Sequence, residues 1–206
     1  MSTHTGALLG QPFDPRRRQH DDTGGARNRS IGYLVAASMV LNAGRLLVVQ
    51  AGWIWVSVAV IAALVAVLGV IVSRLTTIPG DGALDRIVTD GTFGLYVGWV
   101  AVATCANVTA ALVDAGGDVA APAADIWAVV VLVVAGAVGV LLALRTGGNP
   151  GVGAAMVWGI GWIAVARLTG SPESTTTAAA AIVVAVLIAG VTLWRFTSSR
   201  ASLLPR

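Results

Sequence analysis

Six long apolar runs follow one another along the chain, after a polar stretch at its beginning. They cover roughly residues 31–50, 52–73, 92–113, 126–144, 152–168 and 177–194. Most reach the ~20 residues needed to cross the hydrocarbon core of a bilayer, and the fifth is short at ~17. Backbone polar groups in hydrocarbon must be bonded within the segment, so each run predicts a helix. The pattern predicts an all-α fold, a polytopic transmembrane bundle of about six helices.

The two ends of the chain are polar. Residues 1–30 are rich in Gly, Asp and Arg and lack the order of a secretory signal, in which a short apolar run precedes a small-residue cleavage site. We expect a disordered cytoplasmic arm there. The bundle is expected over 31–196, with a short cytoplasmic tail at 197–206.

Composition agrees with a membrane protein and narrows the function. Apolar residues make up 56% of the chain and charged residues 11%, whereas soluble domains carry about 25% charge. The net charge is only +3, and no basic patch is interleaved with aromatics, so nucleic-acid binding is rejected. The absence of lysine beside heavy Ala, Val and Gly usage is typical of GC-rich bacteria. We therefore expect the inner membrane of a bacterial cell.

The arginines predict the orientation of the bundle. With the N-terminus inside, eleven arginines lie on the inner side, one (Arg167) lies outside and one (Arg45) lies within a helix. This asymmetry predicts cytoplasmic N- and C-termini, because positive charge collects in cytoplasmic loops. The short link Gln50-Ala51-Gly52 is then a tight outer hairpin. The inner arginines are Arg16, Arg17, Arg18, Arg27, Arg29, Arg74, Arg86, Arg145, Arg195, Arg200 and Arg206.

Residues for bond-breaking chemistry are scarce in the apolar runs. Cys105 is the single cysteine, His4 and His20 both lie in the polar arm, and no Asp or Glu is in mid-segment. These residues provide no disulfide, no metal site and no paired carboxylates. We expect a protein that is not an enzyme and that requires no cofactor. The lack of buried acids also counts against most ion-coupled transporters.

Two polar residues interrupt the first run. Asn42 and Arg45 are three residues apart and therefore share one helical face. An arginine within a membrane segment is by default a functional candidate. The simpler explanation, which we favour, is that Arg45 lies close enough to the outer end of its helix to extend to the headgroups.

A polar stripe follows one face of the third run. At ~100° per residue, Tyr96, Ala103, Asn107 and Asp114 fall within about 20° of one line, and Trp99 lies about 60° away. Polar groups in hydrocarbon need partners, so this face is predicted to point into the bundle. The spacing alone is compatible with a ligand cavity or with hydrogen bonds between helices, and it favours the second.

The tryptophans form two groups. Trp158 and Trp162 are four residues apart on one face of the fifth run, separated by Gly159 and Gly161. We predict that they pack in the core over a neighbouring helix rather than stack on a planar ligand. Tryptophans near segment ends predict an interfacial belt: Trp53, Trp55, Trp127 and Trp194.

The third run resembles the last helix of the translocator protein family, also known as tryptophan-rich sensory proteins or peripheral benzodiazepine receptor-like proteins. The family pattern is Pro-Tyr-x-x-Trp-Val-x-Phe-Ala-Thr-x-x-Asn. The corresponding residues here are Leu95, Tyr96, Trp99, Val100, Val102, Ala103, Thr104 and Asn107. Leu41 and Asn42, followed by Arg45, are similar to the Leu-Asn-x-x-Trp helix of the family. The resemblance covers 31–114, and 126–196 is similar to the further helices of longer bacterial members.

The chain departs from the family pattern at several places. Leu95 replaces the proline, Val102 the phenylalanine, and Arg45 a family tryptophan. The first two family helices, with their Trp-x-Pro-Pro loop, have no counterpart in residues 1–30. The expectation is a long bacterial form that lacks the N-terminal helices.

The resemblance implies binding of tetrapyrroles such as haem or porphyrin, or of sterol-like lipids, with a sensory or regulatory role. The implied ligand-binding residues are Tyr96, Trp99, Asn107, Asn42 and Arg45. Besides the bilayer and this ligand, a homodimer is one candidate assembly. The alternative is a transporter-like or scaffolding membrane subunit with no small-molecule pocket of its own.

Overall fold

All regular structure in the described part of the chain is helical. The computed structural model describes residues 15–77, 86–115 and 121–201. A single π-helical turn, Arg86–Asp90, leads into the third helix. The helices are α1 (Pro15–Gln50), α2 (Ile54–Thr77), α3 (Gly91–Asp114), α4 (Ala121–Arg145), α5 (Pro150–Thr169) and α6 (Thr175–Ala201).

Each of these six helices contains a stretch that is long and apolar enough to cross a membrane. The stretches begin and end within a few residues of the predicted runs, so the predicted all-α membrane bundle is confirmed. Their bounds are Ile31–Gln50, Ile54–Thr77, Ile87–Leu112, Ala123–Arg145, Pro150–Thr169 and Thr175–Ser199.

The first helix is longer than predicted. It begins at Pro15, so residues 15–30 are helical, where we expected a disordered arm. Proline at the first position of a helix is favourable, and a helix once nucleated by the apolar segment extends at little cost. The predicted membrane-spanning part still begins at Ile31. The rest of the predicted arm, 1–14, and the last residues of the predicted tail, 202–206, lie outside the described residues.

The link between α1 and α2 is the tight hairpin that the sequence predicts. The Trp53 amide donates to the carbonyl of Val48 at 3.1 Å, and the Gly52 amide donates to that of Val49 at 3.0 Å. Gly52 has a φ of 77°, a left-handed conformation that glycine adopts without steric cost. Only three residues are therefore needed to reverse the chain direction.

Helices α2 to α6 enclose the core, and α1 packs against the outside of α2. Around the core, α2 contacts α3, α3 contacts α5, α5 contacts α6, and α6 contacts α4. In addition, α3 contacts α4, and a Cβ added at Gly69 of α2 would lie 3.6 Å from Leu142 of α4. Fully buried core side chains include Leu68, Val97, Met156 and Ile188.

The parallel pair α3 and α5 has a close backbone contact in this ring. A Cβ added at Gly98 would lie 2.6 Å from the carbonyl oxygen of Val152, and one at Gly159 would lie 2.8 Å from Val102. Small residues allow this approach, and close van der Waals packing is the main attraction between helices in lipid. These two helices carry aromatic residues of the candidate site.

Candidate functional site

Arg45 and Asn42 lie on the packed face of α1. The buried and half-buried residues of this helix recur at a helical spacing that includes both of them. The Nε atom of Arg45 is buried and has no hydrogen-bond partner among the described residues. Arg45 as a whole is half-buried, so the explanation that we favoured, in which its side chain extends to the headgroups, stays a prediction. The set consists of Ile31, Leu34, Val35, Ala37, Ser38, Leu41, Asn42, Gly44, Arg45 and Val48.

Tyr96 on α3 lies within electrostatic range of the Arg45 guanidinium, although α1 packs mainly against α2. Tyr96 and Ala103 are partly buried and pack against the hydrophobic core. Asp114, at the end of α3, is exposed. The predicted stripe therefore faces the bundle at Tyr96 and Ala103, and its last residue, Asp114, faces away from it.

The amide of Asn107 bonds across helices, as predicted. Its Nδ2 donates to the Ser57 hydroxyl of α2 at 2.9 Å, and Ser57 in turn donates to the carbonyl of Ile54 at 2.7 Å. Ser57 is fully buried. Sequence reasoning did not single out Ser57, although a lone hydroxyl in an apolar run is the kind of partner that a buried amide requires.

Trp99 points away from the core. Its side chain is 56% exposed, although it follows Gly98, which packs against α5. A rotation of about 100° from Gly98 places the indole on the lipid-facing side of α3. Trp99, which lies beside the polar stripe, is therefore accessible from the bilayer rather than enclosed by helices.

The prediction that Trp158 and Trp162 pack in the core is wrong. They are 63% and 54% exposed and contact each other edge to face, with ring centroids 5.7 Å apart. A membrane core and the lipid around it are equally apolar, so apolar character alone does not decide which side such rings face.

The three tryptophans lie on one side of the α3–α5 pair. Trp99 comes one residue after Gly98 and Trp158 one residue before Gly159, so the two are rotated in opposite senses from the contact line. In parallel helices these opposite rotations point to the same side. Trp99, Trp158 and Trp162, which we call the tryptophan face, lie near the middle of their spans, Ile87–Leu112 and Pro150–Thr169. Tryptophan normally concentrates at the interfaces, which makes this position unusual.

Asn149 connects the opposite end of α3 to α5, and sequence reasoning missed it. Its side-chain oxygen accepts from the amides of Gly151 and Val152, at 2.9 and 3.3 Å, while Nδ2 donates to the carbonyl of Asp90 at 3.2 Å. The sequence Asn149-Pro150 is typical of a helix start, with a capping residue followed by proline. The sequence therefore contained the pattern that identifies Asn149 as a helix cap.

Comparison with known proteins identifies the family of this chain. A family model described as TSPO-like protein matches residues 9–194. The chain belongs to the TSPO-like family. Comparison with curated proteins gives no match, and neither does comparison with solved structures.

Membership of the TSPO-like family confirms the resemblance to translocator proteins. The match is longer than the 31–114 stretch that carried the resemblance, and it includes α4, α5 and most of α6. Together with the six apolar helices, it identifies an integral, multi-pass membrane protein of the TSPO type. The proposed correspondence between α1–α3 and the last three family helices stays a prediction.

Proposed function

We propose that this TSPO-like chain is a non-enzymatic sensory or regulatory membrane protein of the bacterial inner membrane that binds a tetrapyrrole such as haem or protoporphyrin. The proposal rests above all on Arg45, whose buried Nε has no partner among the described residues and whose charge reaches Tyr96. A charge buried in an apolar medium is costly unless it is paired. A ligand carboxylate would pair it, since guanidinium and carboxylate form strong, charge-assisted hydrogen bonds.

A tetrapyrrole carries carboxylates and a flat aromatic ring, which suit the cationic and the aromatic residues of the site respectively. Its propionates supply the carboxylate for Arg45, and its flat apolar ring needs aromatic surface. Tyr96 is partly buried within electrostatic range of Arg45, and Trp99 is exposed on the same helix. A ligand dissolved in the bilayer would reach the exposed Trp99 directly. Aromatic pairs contribute about 0.5–1.5 kcal/mol beyond the area that they bury.

Sterol-like lipids are the other ligand class that the family resemblance implies. A sterol carries no carboxylate, so it would leave Arg45 unpaired. The two ligand classes therefore predict different roles for Arg45, and the experiment below separates them.

A transporter-like or scaffolding subunit is the second candidate, and two observations favour it. Asn107 is already paired with Ser57, so its amide does not need a ligand. Trp99 does not face an enclosed cavity. In this alternative the polar stripe only holds helices together, and the tryptophan face contacts lipid or another protein.

The test is titration of the purified protein in detergent with protoporphyrin, followed by quenching of tryptophan fluorescence. We expect saturable quenching, a two- to tenfold loss of affinity in Tyr96→Ala and Trp99→Ala, and about tenfold or more in Arg45→Gln, because a hydrogen bond to a charged group contributes ~1.5–3 kcal/mol. Trp194→Ala, at the far end of α6, is the matched control and should bind normally.

Protoporphyrin dimethyl ester sharpens the experiment, because it keeps the ring and lacks the carboxylates. Wild type should bind the ester as weakly as Arg45→Gln binds the free acid, and Arg45→Gln should not weaken ester binding further. Absence of saturable quenching by the free acid in wild type would reject the proposal in favour of the second candidate. Sterol binding that is insensitive to Arg45→Gln, without porphyrin binding, would reject the tetrapyrrole.

A further inference from the structure

Helices α5 and α6 leave an open groove at the end of the bundle that adjoins the turn between α4 and α5. Its volume is about 340 Å³, near the lower end of the ~300–1,000 Å³ that is usual for ligand pockets. We call it the α5–α6 groove. Its walls are small or apolar apart from one hydroxyl, and they include Pro150, Gly153, Val157, Ala189, Thr192 and Phe196.

The one hydroxyl in the groove, on Thr192, is unusual. The Thr192 side chain is nine-tenths buried, and its Oγ1 has no hydrogen-bond partner in the part of the chain that the structure describes. Threonine in a helix commonly bonds to the carbonyl four residues earlier. Thr104, Thr146 and Thr197 do so here. A buried hydroxyl without a partner costs free energy, which an oxygen of a bound ligand would recover when the Thr192 side chain turns its hydroxyl into the groove.

A cation lies beside the mouth of the groove. Arg195 follows Thr192 by three residues, about 4.5 Å along the helix. Its backbone packs against Gly148, which also lines the groove. The Arg195 Nε is buried and has no hydrogen-bond partner among the described residues, although its Cζ lies 5.7 Å from the centroid of the Trp194 ring.

The backbone amides at the start of α5 are not free to bind an anion in place of Arg195. The amides of Gly151 and Val152 already donate to the Asn149 side chain, and that of Gly153 donates to the Asn149 carbonyl at 3.2 Å. An anion at the mouth would therefore depend on Arg195. Along α6, from its C-terminal end, the order is Arg195, then Thr192, then the apolar Ala189.

We propose that the α5–α6 groove binds an anionic phospholipid. The phosphate pairs with Arg195, the Thr192 hydroxyl donates to an ester oxygen below it, and one acyl chain lies in the apolar trough. From Ala189 to Phe196 the groove extends about 10 Å along α6, which is enough for the upper part of an acyl chain. The arginine asymmetry predicts that this end is cytoplasmic, where basic pockets between helices bind anionic headgroups. This proposal does not depend on tetrapyrrole binding, which concerns α1 and α3.

The test compares phosphatidylglycerol and phosphatidylcholine of identical acyl chains, added to the full chain in detergent, by thermal melting and native mass spectrometry. We expect phosphatidylglycerol to raise the melting temperature more and to be retained preferentially. Arg195→Gln should weaken its binding about fivefold, in keeping with ~1 kcal/mol per arginine near an anionic surface. Thr192→Val keeps the shape and removes the hydroxyl, so it should weaken binding of both lipids. Ala189→Phe should fill the trough and abolish retention.

Matched controls separate the groove from the general surface. Arg145→Gln removes an exposed arginine at the end of α4, and Val183→Phe enlarges an exposed residue on another face of α6; both should bind like wild type. Equal stabilisation by the two lipids, or equal losses in Arg145→Gln and Arg195→Gln, would overturn the proposal. Stabilisation by inorganic phosphate alone would assign the site to a free anion. A monomer–dimer change in Ala189→Phe, with lipid retention unaltered, would assign the groove to a second copy.

Discussion

At the scale of single residues, the polar atoms within hydrocarbon are the informative ones. Asn107 and Arg45 are both partly buried, yet they differ in what surrounds them. Asn107 is paired with Ser57 on the next helix, whereas the Nε of Arg45 has no partner in the described residues. A satisfied amide is explained by stability alone. A buried guanidinium Nε without a partner is not, and for that reason the proposed ligand site is centred on Arg45.

The Asn107–Ser57 bond predicts a measurable coupling. Asn107→Leu and Ser57→Ala should each lower the stability of the protein in detergent. The double variant should be less destabilised than the sum of the two, by roughly 0.6 kcal/mol and at most about 1.7, as for other hydrogen bonds between membrane helices. Thermal or denaturant unfolding of all four proteins provides the cycle. Strictly additive losses would show that the bond contributes nothing.

At the scale of elements, close contact between α3 and α5 organises the bundle. Gly94 and Gly98 of α3 face Asn149, Val152 and Ala155 at the start of α5. The absence of a Cβ on α3 lets the two backbones meet, and this contact sets the rotation of both helices. The same rotation turns Trp99 and the tryptophan pair of α5 outward. Side-chain volume at the contact therefore decides which aromatics reach the lipid.

Gly98→Ala should disrupt this contact. The new Cβ would lie 2.6 Å from the Val152 carbonyl oxygen, a backbone atom that cannot move independently. We expect a loss of about 1–3 kcal/mol, the usual cost of overpacking. Gly161→Ala is the control on α5, because a Cβ at Gly161 would have nothing within 4 Å.

That control should be neutral or slightly stabilising, since Ala is favoured over Gly in a helix by roughly 0.5–1 kcal/mol. Unfolding in detergent measures both variants. If the two substitutions had the same effect, the α3–α5 contact would not be as close as the structure indicates. An increase in the accessibility of Trp99 to a lipid-soluble quencher in Gly98→Ala would support the link between the contact and the tryptophan face.

At the scale of the whole molecule, a core of five helices carries a sixth on its outside. The core residues of α2 to α6 pack together with Ile31 of α1, which otherwise contacts mainly α2. This arrangement places Arg45 at the edge of the core, on α1. A ligand between α1 and α3 would therefore touch the least buried part of the bundle.

The six spans and the arginine asymmetry predict the topology in the membrane. Reporter fusions at Gly80, Gly148 and Arg206 should read cytoplasmic, and fusions at Asp118 and Pro172 should read external. The physical reason is the cost of moving arginine-rich loops across the membrane. Paired alkaline phosphatase and fluorescent-protein reporters at each position check one another. An external reading at Arg206 would contradict an even number of spans with the N-terminus inside.

The amino-acid sequence alone determined how many helices cross the membrane and where they begin and end, because span length and backbone satisfaction depend only on local composition. It also predicted the bond from Asn107, since a buried amide must find a partner. Only the tertiary structure decided which sides of the helices face lipid. It turned Trp99, Trp158 and Trp162 outward, placed Arg45 on a packed face and opened the groove beside Thr192. Lipid is as apolar as the core, so hydrophobic pattern does not distinguish the two, and close contacts at glycines such as Gly98 settle the orientation.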